Sequence, residues 1–179
     1  QIEGADYRVY RRPVAGSSVA VIAPHGGSIE HYTSDIARAI AADDFNLYLF
    51  EGIRRSGNYA ALHLTSHRFD EPRCLGLLAN CDHVIAIHGC GGGAQQALVG
   101  GLDGPLKVAI AQAISALGID TRVEDHQFPA TEPKNSCNRG RRSVGVQVGM
   151  TMPLRLQGPR DALAAAIRSV LLALPNCSF

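Results

Sequence analysis

Three short apolar runs, almost free of polar residues, constrain the fold of this chain more than any other feature. They read SVAVIA at 18–23, NLYLF at 46–50 and HVIAIH at 83–88. A strand with one wet face alternates apolar and polar residues, whereas a strand buried on both faces is apolar throughout, as in parallel sheets. Between the first two runs, apolar residues recur at the spacing of a helix. Alternating strands and helices predict an α/β sandwich with a largely parallel sheet.

The same alternation continues to the end of the sequence. Further elements are predicted as helix 70–81, helix 104–118, strand 119–124, strand 143–152 and helix 159–175. In the first of these helices Asp70 is the predicted cap, and Pro72 lies in the first turn. No repeat, linker or low-complexity tract interrupts the pattern, so we expect a single domain over residues 1–179.

Composition narrows the class of protein. Of 179 residues, 46% are hydrophobic and 18% charged, the balance of a folded globular chain. The net charge of +1 lacks the basic excess that nucleic acid or a membrane surface attracts, so we expect neither partner, and we expect a monomer. No apolar run approaches the roughly 18 residues of a transmembrane helix. The segment QIEGADYRVYRRP lacks the apolar centre of a signal peptide.

The cysteines predict no disulfide framework and no cysteine-based zinc site. Their number is odd and none forms a C-x-x-C pair. We expect buried free thiols at Cys74, Cys81, Cys90, Cys137 and Cys177.

Two histidines stand where ligands usually bind in α/β sheets, beyond the carboxyl ends of strands. His25 follows the first apolar run and His88 ends the third, and each is followed by glycine. Glu30 comes five residues after His25, far enough for a loop to bring it back to the same point. Two histidines and one carboxylate are a common catalytic zinc set. The ordinary alternatives are a loop histidine and a glutamate at a helix N-terminus.

Other polar residues are weaker candidates. His63 and His67 either line a cleft or belong to a polar loop. The basic segment NSCNRGRRS either binds carboxylates through its arginines or is a solvated loop. The candidates for substrate binding are Arg54, Asn58, His63, Arg73, Asn138 and Arg139. The sequence contains no P-loop, dinucleotide fingerprint or G-x-S-x-G elbow.

Several segments together resemble one family. The segments IAPHGGSIEHYTSDIARAIA, LYLFEG, LHLTSHRFDEP, VIAIHGCGG, VGGLD and NSCNRG…GVQV occur in the order found in poly-γ-glutamate hydrolases, phage and bacterial enzymes that degrade γ-linked polyglutamate. The resemblance implies a three-layer α/β sandwich with a mostly parallel mixed sheet, like that of zinc carboxypeptidases. It also implies that His25, Glu30 and His88 hold zinc, and that the substrate is a γ-glutamyl polymer or peptide with many negative charges.

The family's mechanism needs a carboxylate that this chain lacks at the matching position. In the family the strand after N-R-G reads approximately G-V-Q-L-E-[IL]-S, and its glutamate is the expected general base. Here the strand reads GVQVGMT, so the position of the expected general base is Gly149. General acid–base help is worth about 10²–10⁴-fold in rate, and possible substitutes are Glu124, Asp125 and Glu132.

Three functions therefore stay open at this point. The first is a zinc-dependent hydrolase of γ-glutamyl amide bonds. The second is a zinc-containing protein that binds polyglutamate with little turnover, and the third is an amidase acting on another peptide, such as one from peptidoglycan. A phage-type enzyme could remain in the cytoplasm until lysis, or it could be secreted, so the compartment is not predicted.

Overall fold

The computed structural model of the chain describes residues 1–174, so the predicted thiol of Cys177 lies outside the described residues. These residues form seven strands, β1 (Tyr7–Arg12), β2 (Val19–Gly27), β3 (Asn46–Gly52), β4 (His83–Cys90), β5 (Gln96–Gly100), β6 (Asp120–Arg122) and β7 (Val146–Thr151). The same described residues form six α-helices, α1 (Thr33–Ala41), α2 (Asn58–Leu62), α3 (Pro72–Leu78), α4 (Gly104–Ser115), α5 (Met152–Gln157) and α6 (Arg160–Leu172). Single 3₁₀ turns occur at Ser66–Arg68 and Ser136–Asn138.

All seven strands form one sheet in the order β1-β3-β2-β4-β7-β5-β6. The centre, β3-β2-β4-β7, is parallel. β1 pairs antiparallel with β3, and β5 pairs antiparallel with β7 and parallel with β6. The predicted mixed, mostly parallel sheet is therefore confirmed, and the three apolar runs form its central and neighbouring strands.

Each face of the sheet carries its own apolar core, because successive residues of a strand point to opposite faces. On one face, Val21 and Ile87 pack with residues of α1, α4 and α6 such as Ile110. On the other, Ile22 and Tyr48 pack with residues of α3 and of the turn at Ser136–Asn138. Burial on both faces explains why β2, β3 and β4 are apolar throughout, and it confirms the three-layer arrangement.

Two strands were not predicted. β1 reads YRVYRR, and an edge strand with charged side chains lacks the continuous apolar pattern of the central strands. β5 has only five residues and follows a glycine-rich segment, so its pattern is too short to identify a strand. Both are antiparallel to a neighbouring strand, and they supply the antiparallel part of the mixed sheet.

The start of α3 differs from the prediction by one residue. Glu71, not Asp70, is the N-cap, and its carboxylate accepts a hydrogen bond of 2.9 Å from the backbone N–H of Cys74. Pro72 takes the first helical position and so makes its predecessor the cap. Cys74, Cys81 and Cys137 are buried free thiols, as predicted, while Cys90 is half-buried. Among residues 1–174, none of the helices has the length and apolarity needed to cross a membrane.

Candidate metal centre

A cleft of about 630 Å³ opens at the carboxyl ends of β2, β4 and β7. Its inner wall carries His25, Glu30 and His88, and its outer walls come from the segments 59–67 and 127–135. Ligands bind at this edge of parallel sheets because the strands end there and the loops can diverge. The three predicted metal ligands therefore lie in one cleft.

A tight turn after β2 brings Glu30 back over His25. The backbone N–H of Glu30 donates to the carbonyl of His25 at 2.9 Å, and the hydroxyl of Thr33 donates to the carbonyl of Glu30 at 2.7 Å. Gly27 adopts a φ of 62°, a conformation that favours glycine. Since α1 begins only at Thr33, Glu30 belongs to this turn and not to the first turn of the helix. The loop that was predicted to fold Glu30 back is thus present.

Donor atoms of three histidines surround the carboxylate of Glu30. Nδ1 of His25 lies 3.3 Å from Oε1 of Glu30 and 3.1 Å from Nδ1 of His88. Nδ1 of His88 lies 3.7 Å from Oε2 of Glu30, and Nε2 of His63 lies 3.5 Å from Oε1. A tetrahedral ion with ligand bonds of about 2.0–2.1 Å separates its ligand atoms by roughly 3.3–3.4 Å. The observed separations bracket that value, so the donor set fits a zinc-sized ion.

Contacts on the far side of two rings orient the nitrogen that faces the site. Nε2 of His25 donates to the carbonyl of Leu64 at 2.5 Å, and Nε2 of His88 lies 3.3 Å from the hydroxyl of Ser66. Because a carbonyl only accepts, a neutral His25 must carry its proton on Nε2 and present the lone pair of Nδ1 to the site. Such outer partners orient histidines that bind metals.

Electrostatics keep the two central groups in the forms that bind cations. Burial disfavours the carboxylate of Glu30, but the surrounding ring nitrogens of His25, His63 and His88 hold its pKa well below the usual range. Burial lowers the pKa of His25, against the opposing effect of Glu30, and thereby favours the neutral ring. The backbone N–H of Gly89 also donates to Oε2 of Glu30 at 2.7 Å. An ionised carboxylate beside a neutral imidazole is the state that a metal ion requires.

His63 is a donor that the sequence assigned to substrate binding. It follows α2 directly, stacks on Tyr59 with ring centroids 4.3 Å apart, and lies beside the ring of His25 at 4.2 Å. His25, Glu30 and His63 offer ligand atoms that all lie within 4.8 Å of one another. No spacing in the sequence signals this, since the chain between Glu30 and His63 passes through a helix, a strand and a second helix.

Gly149 lies in the cleft on β7, directly opposite His88 on β4. A Cβ at this position would meet the carbonyl of Leu98 at 3.5 Å and the sulfur of Cys90 at 3.9 Å, which are ordinary contacts. The strand therefore has room for a Cβ at this position beside His88. The position matches the prediction, while its role stays a prediction.

The three possible substitutes for a general base lie in two different places. Glu132 is exposed and lines the cleft. Glu124 and its neighbour Asp125 follow β6 and are absent from the described residues that line the cleft. Only Glu132 is thus brought near the candidate metal centre.

Most of the predicted substrate-binding residues lie away from the cleft lining. Arg54 pairs with Asp6 at 3.2 Å, and Arg73 pairs with Glu3 at 2.9 Å. The side chain of Asn58 bonds to the backbone N–H and carbonyl of Arg54, at 3.0 and 2.8 Å. These contacts stabilise the fold locally, and the substrate role predicted for the three residues gains no support from them.

The basic segment is likewise used within the fold. Asn138 is buried and donates to the carbonyls of Ala130 and Glu132. Arg139 is half-buried and is not among the cleft residues. The two arginines after it make ion pairs elsewhere, Arg141 with Asp82 and Arg142 with Asp103. A cleft residue that the sequence did not identify is Arg155 on α5.

Comparison with known proteins identifies relatives of this chain. The model of a family described as poly-gamma-glutamate hydrolase matches residues 1–159. The UPF0714 protein YndL of Bacillus subtilis (strain 168) is 35% identical over 153 residues, which are 84% of this chain and 60% of YndL. The chain spans between 50% and 64% of the length of the curated Bacillus relatives that it matches.

Solved structures share the architecture. The bacteriophage poly-gamma-glutamate hydrolase has a TM-score of 0.88 at 28% identity, covering 95% of this chain and 90% of the phage chain. The zinc-free apo form of YndL has a TM-score of 0.86 at 30% identity, covering 94% and 90%.

A more distant similarity concerns the fold alone. N-formylglutamate amidohydrolase from Ralstonia eutropha JMP134 is only 10% identical, with a TM-score of 0.55 and coverage of 94% and 96%. Together these structures confirm the predicted carboxypeptidase-like α/β fold. The family match over residues 1–159 confirms the resemblance found in the sequence, and the chain belongs to the poly-gamma-glutamate hydrolase family.

Proposed function

We propose that this protein is a zinc-dependent hydrolase of the γ-glutamyl amide bonds in poly-γ-glutamate. One observation carries the proposal: His25, Glu30, His63 and His88 converge in a cleft with separations that fit a tetrahedral ion. Membership of the family supports the substrate, and the zinc-free apo form of the relative YndL supports the choice of metal.

His25, Glu30 and His88 would hold the ion. Catalytic zinc sites use three protein ligands and leave one position open, and these three side chains are the most buried donors, at 1%, 7% and 6% exposure. His63 is more exposed, with 21% of its side chain accessible, and would contact the carboxylate of Glu30 without being a ligand. When bound, zinc polarises the scissile carbonyl and makes the attacking water more acidic.

The residues of the chain supply orientation and proton transfer. The carbonyl of Leu64 orients the ring of His25, and the hydroxyl of Ser66 orients the ring of His88, each through the Nε2 atom of the histidine. Glu30 and Glu132 are the carboxylates among the described residues that line the cleft. The carboxylate of Glu30 already contacts the three histidines. Glu132 is therefore the candidate that takes the proton from water and passes it to the leaving amine.

A second candidate function is binding of polyglutamate with little or no turnover. Gly149 favours it, because the strand position beside His88 has room for a Cβ and carries none. Without a well-placed base, the metal and the cleft would still bind the polymer, while the chemical step would lose the about 10²–10⁴-fold help of proton transfer.

Incubation with poly-γ-glutamate separates the two candidates. The hydrolase predicts that the polymer becomes shorter, as followed by size-exclusion chromatography, and that Glu132→Gln slows this shortening. Lys134→Gln, two residues away on the same exposed segment, is the matched control and should act as the unaltered protein does. Retention of the polymer at constant length would favour binding without turnover, and the absence of both binding and cleavage would reject both functions.

A further inference from the structure

Arg155 is a buried cation in the cleft. It lies on α5, is 4% exposed, and faces the same cleft as the candidate metal centre. Among the described residues that line the cleft it is the only arginine or lysine. A site for a chain of carboxylates needs positive charge. Among the cleft residues within 1–174, the guanidinium of Arg155 is the one positively charged group besides the histidines.

The guanidinium is held by backbone carbonyls and makes no ion pair with any of the described residues. Nε donates to the carbonyl of Met150 at 3.0 Å, and Nη1 donates to the carbonyl of His31 at 2.6 Å. Within residues 1–174, Nη2 has no hydrogen-bond partner. Burial disfavours the charged guanidinium, and the nearby carboxylate of Glu30 favours it, so the fold retains a cation that is fixed in place and has one donor nitrogen unused.

The chain makes room for this group directly beside the metal centre. Gly89 follows His88, and a Cβ at Gly89 would lie 2.6 Å from Cζ of Arg155 and 2.7 Å from Nη2. Any other residue at position 89 would therefore push the guanidinium away from β4. The backbone N–H of the same glycine donates to Glu30, so the residue that Arg155 packs against adjoins one candidate metal ligand and bonds to another.

We infer that Arg155 binds a free α-carboxylate of the γ-glutamyl chain and thereby selects substrates that carry this group next to the bond at the metal centre. The inference builds on the proposed function. A guanidinium is planar, permanently charged and matched to a carboxylate, and every unit of a γ-linked chain carries one α-carboxylate. This carboxylate would accept a hydrogen bond from the unused Nη2.

The competing explanation is that Arg155 only ties the segment of His31 to β7. Both explanations predict that loss of Arg155 is harmful, so activity alone does not separate them. A role in binding predicts that the harm depends on the α-carboxylate of the ligand. A role in folding predicts equal harm whatever the ligand carries.

The test measures binding of two ligands to the zinc-loaded protein by calorimetry. One is a short γ-linked glutamate oligomer, and the other is the same oligomer with its α-carboxylates converted to carboxamides. The unaltered protein should prefer the carboxylate oligomer by about 10- to 100-fold, the range for a hydrogen bond to a charged group. Arg155→Gln should remove that preference, and Arg155→Lys should restore part of it, since lysine keeps the charge without the planar geometry.

Controls keep the outcome decisive. Arg122→Gln changes an exposed arginine on the edge strand β6 that pairs with Asp120, and it should leave the preference intact. Zinc content and melting temperature are measured on each variant. If Arg155→Gln does not fold, a reduced preference in a folded Arg155→Lys supports the inference, and an unchanged preference in it overturns the inference.

Two further results would overturn the inference while leaving hydrolysis standing: equal affinity of the unaltered protein for both oligomers, or a preference that persists in a folded Arg155→Gln. Conversely, an intact Arg155-dependent preference in a protein that does not shorten the polymer would reject hydrolysis alone. Binding and cleavage are read separately, so the two proposals fail separately.

Discussion

The cleft has two parts that are built differently. The floor consists of His25, Glu30 and His88, which stand at or just beyond the ends of β2 and β4 and are at most 7% exposed. The rim consists of Tyr59, His63, Ser66, His67 and Glu132, which lie on short helices and loops. Tyr59 is 59% exposed, and the side chain of His63 retains 21% exposure.

This difference separates two tasks. Floor residues are positioned by the pairing of strands and by hydrogen bonds behind each ring, as the fixed geometry of a metal site requires. Rim residues belong to segments that can vary without disturbing the sheet, which is where substrate contacts usually arise. The floor should therefore determine whether the metal is held, and the rim should determine how well and on what the enzyme acts.

Loss of a floor ligand should have the largest effect. His25→Ala removes a donor whose Nδ1 lies 3.3 Å from Glu30 and 3.1 Å from His88. We expect zinc affinity to fall by more than the about 100-fold that loss of an outer partner can cost, with loss of cleavage. Competition with a metal chelator measures the affinity. His67→Ala, on the rim, is the control. Equal loss of zinc in both variants would contradict the difference between the floor and the rim.

A side chain restored at Gly149 should give the next largest effect, and in the opposite direction. Gly149→Glu places a carboxylate beside His88, where a Cβ meets only ordinary contacts. If proton transfer limits the reaction, the rate should rise by about 10²- to 10⁴-fold.

The matched control is Gly149→Gln, which has the same size but cannot take a proton. A rate that rises equally in both variants would mean that packing, and not a missing base, limits this enzyme. An unchanged rate in both would show that a base such as Glu132 already serves.

His63 tests the boundary between the floor and the rim. Because its Nε2 lies 3.5 Å from Oε1 of Glu30, His63→Ala should weaken zinc binding by about 10- to 100-fold, the cost of losing an outer partner. His88→Ala should weaken it more. The reverse order, measured by the same chelator competition, would make His63 the third ligand and His88 its support.

The smallest effect is expected at Ser66, which touches the floor only through the Nε2 of His88 at 3.3 Å. Ser66→Ala should lower zinc affinity by about tenfold at most. Its free energy of unfolding should fall by no more than the roughly 1 kcal/mol of one lost hydrogen bond. A loss of zinc as severe as in His25→Ala would contradict the assignment of Ser66 to the rim.

The floor was predictable because strand ends are visible in a sequence. The apolar runs before His25 and at His88 identify buried parallel strands, and the carboxyl ends of parallel strands meet at one edge. Glycine follows each histidine, and the positive φ of Gly27 and the packing of Arg155 against Gly89 show what these glycines allow. The metal that this set holds comes from the chemistry of its donors and stays a proposal.

The rim and the cation were not predictable for a physical reason. His63 meets Glu30 only because α2 and the following loop pack over the end of the sheet, and no periodicity encodes that contact. The arginines that form a cluster in the sequence make ion pairs within the fold, such as that of Arg141 with Asp82. The cation that faces the cleft is Arg155, which stands alone in MPLRLQ and gives no pattern.

Titration of zinc into chelator-treated protein tests the central claim most directly. The polymer's length is followed by size-exclusion chromatography as zinc is added in known amounts, with the same samples analysed for bound metal. If His25, Glu30 and His88 hold a zinc ion needed for cleavage, shortening of poly-γ-glutamate should rise in proportion to added zinc and level off at one equivalent. Cleavage that is complete before zinc is added, or zinc bound in full with no shortening at any amount, would contradict the account.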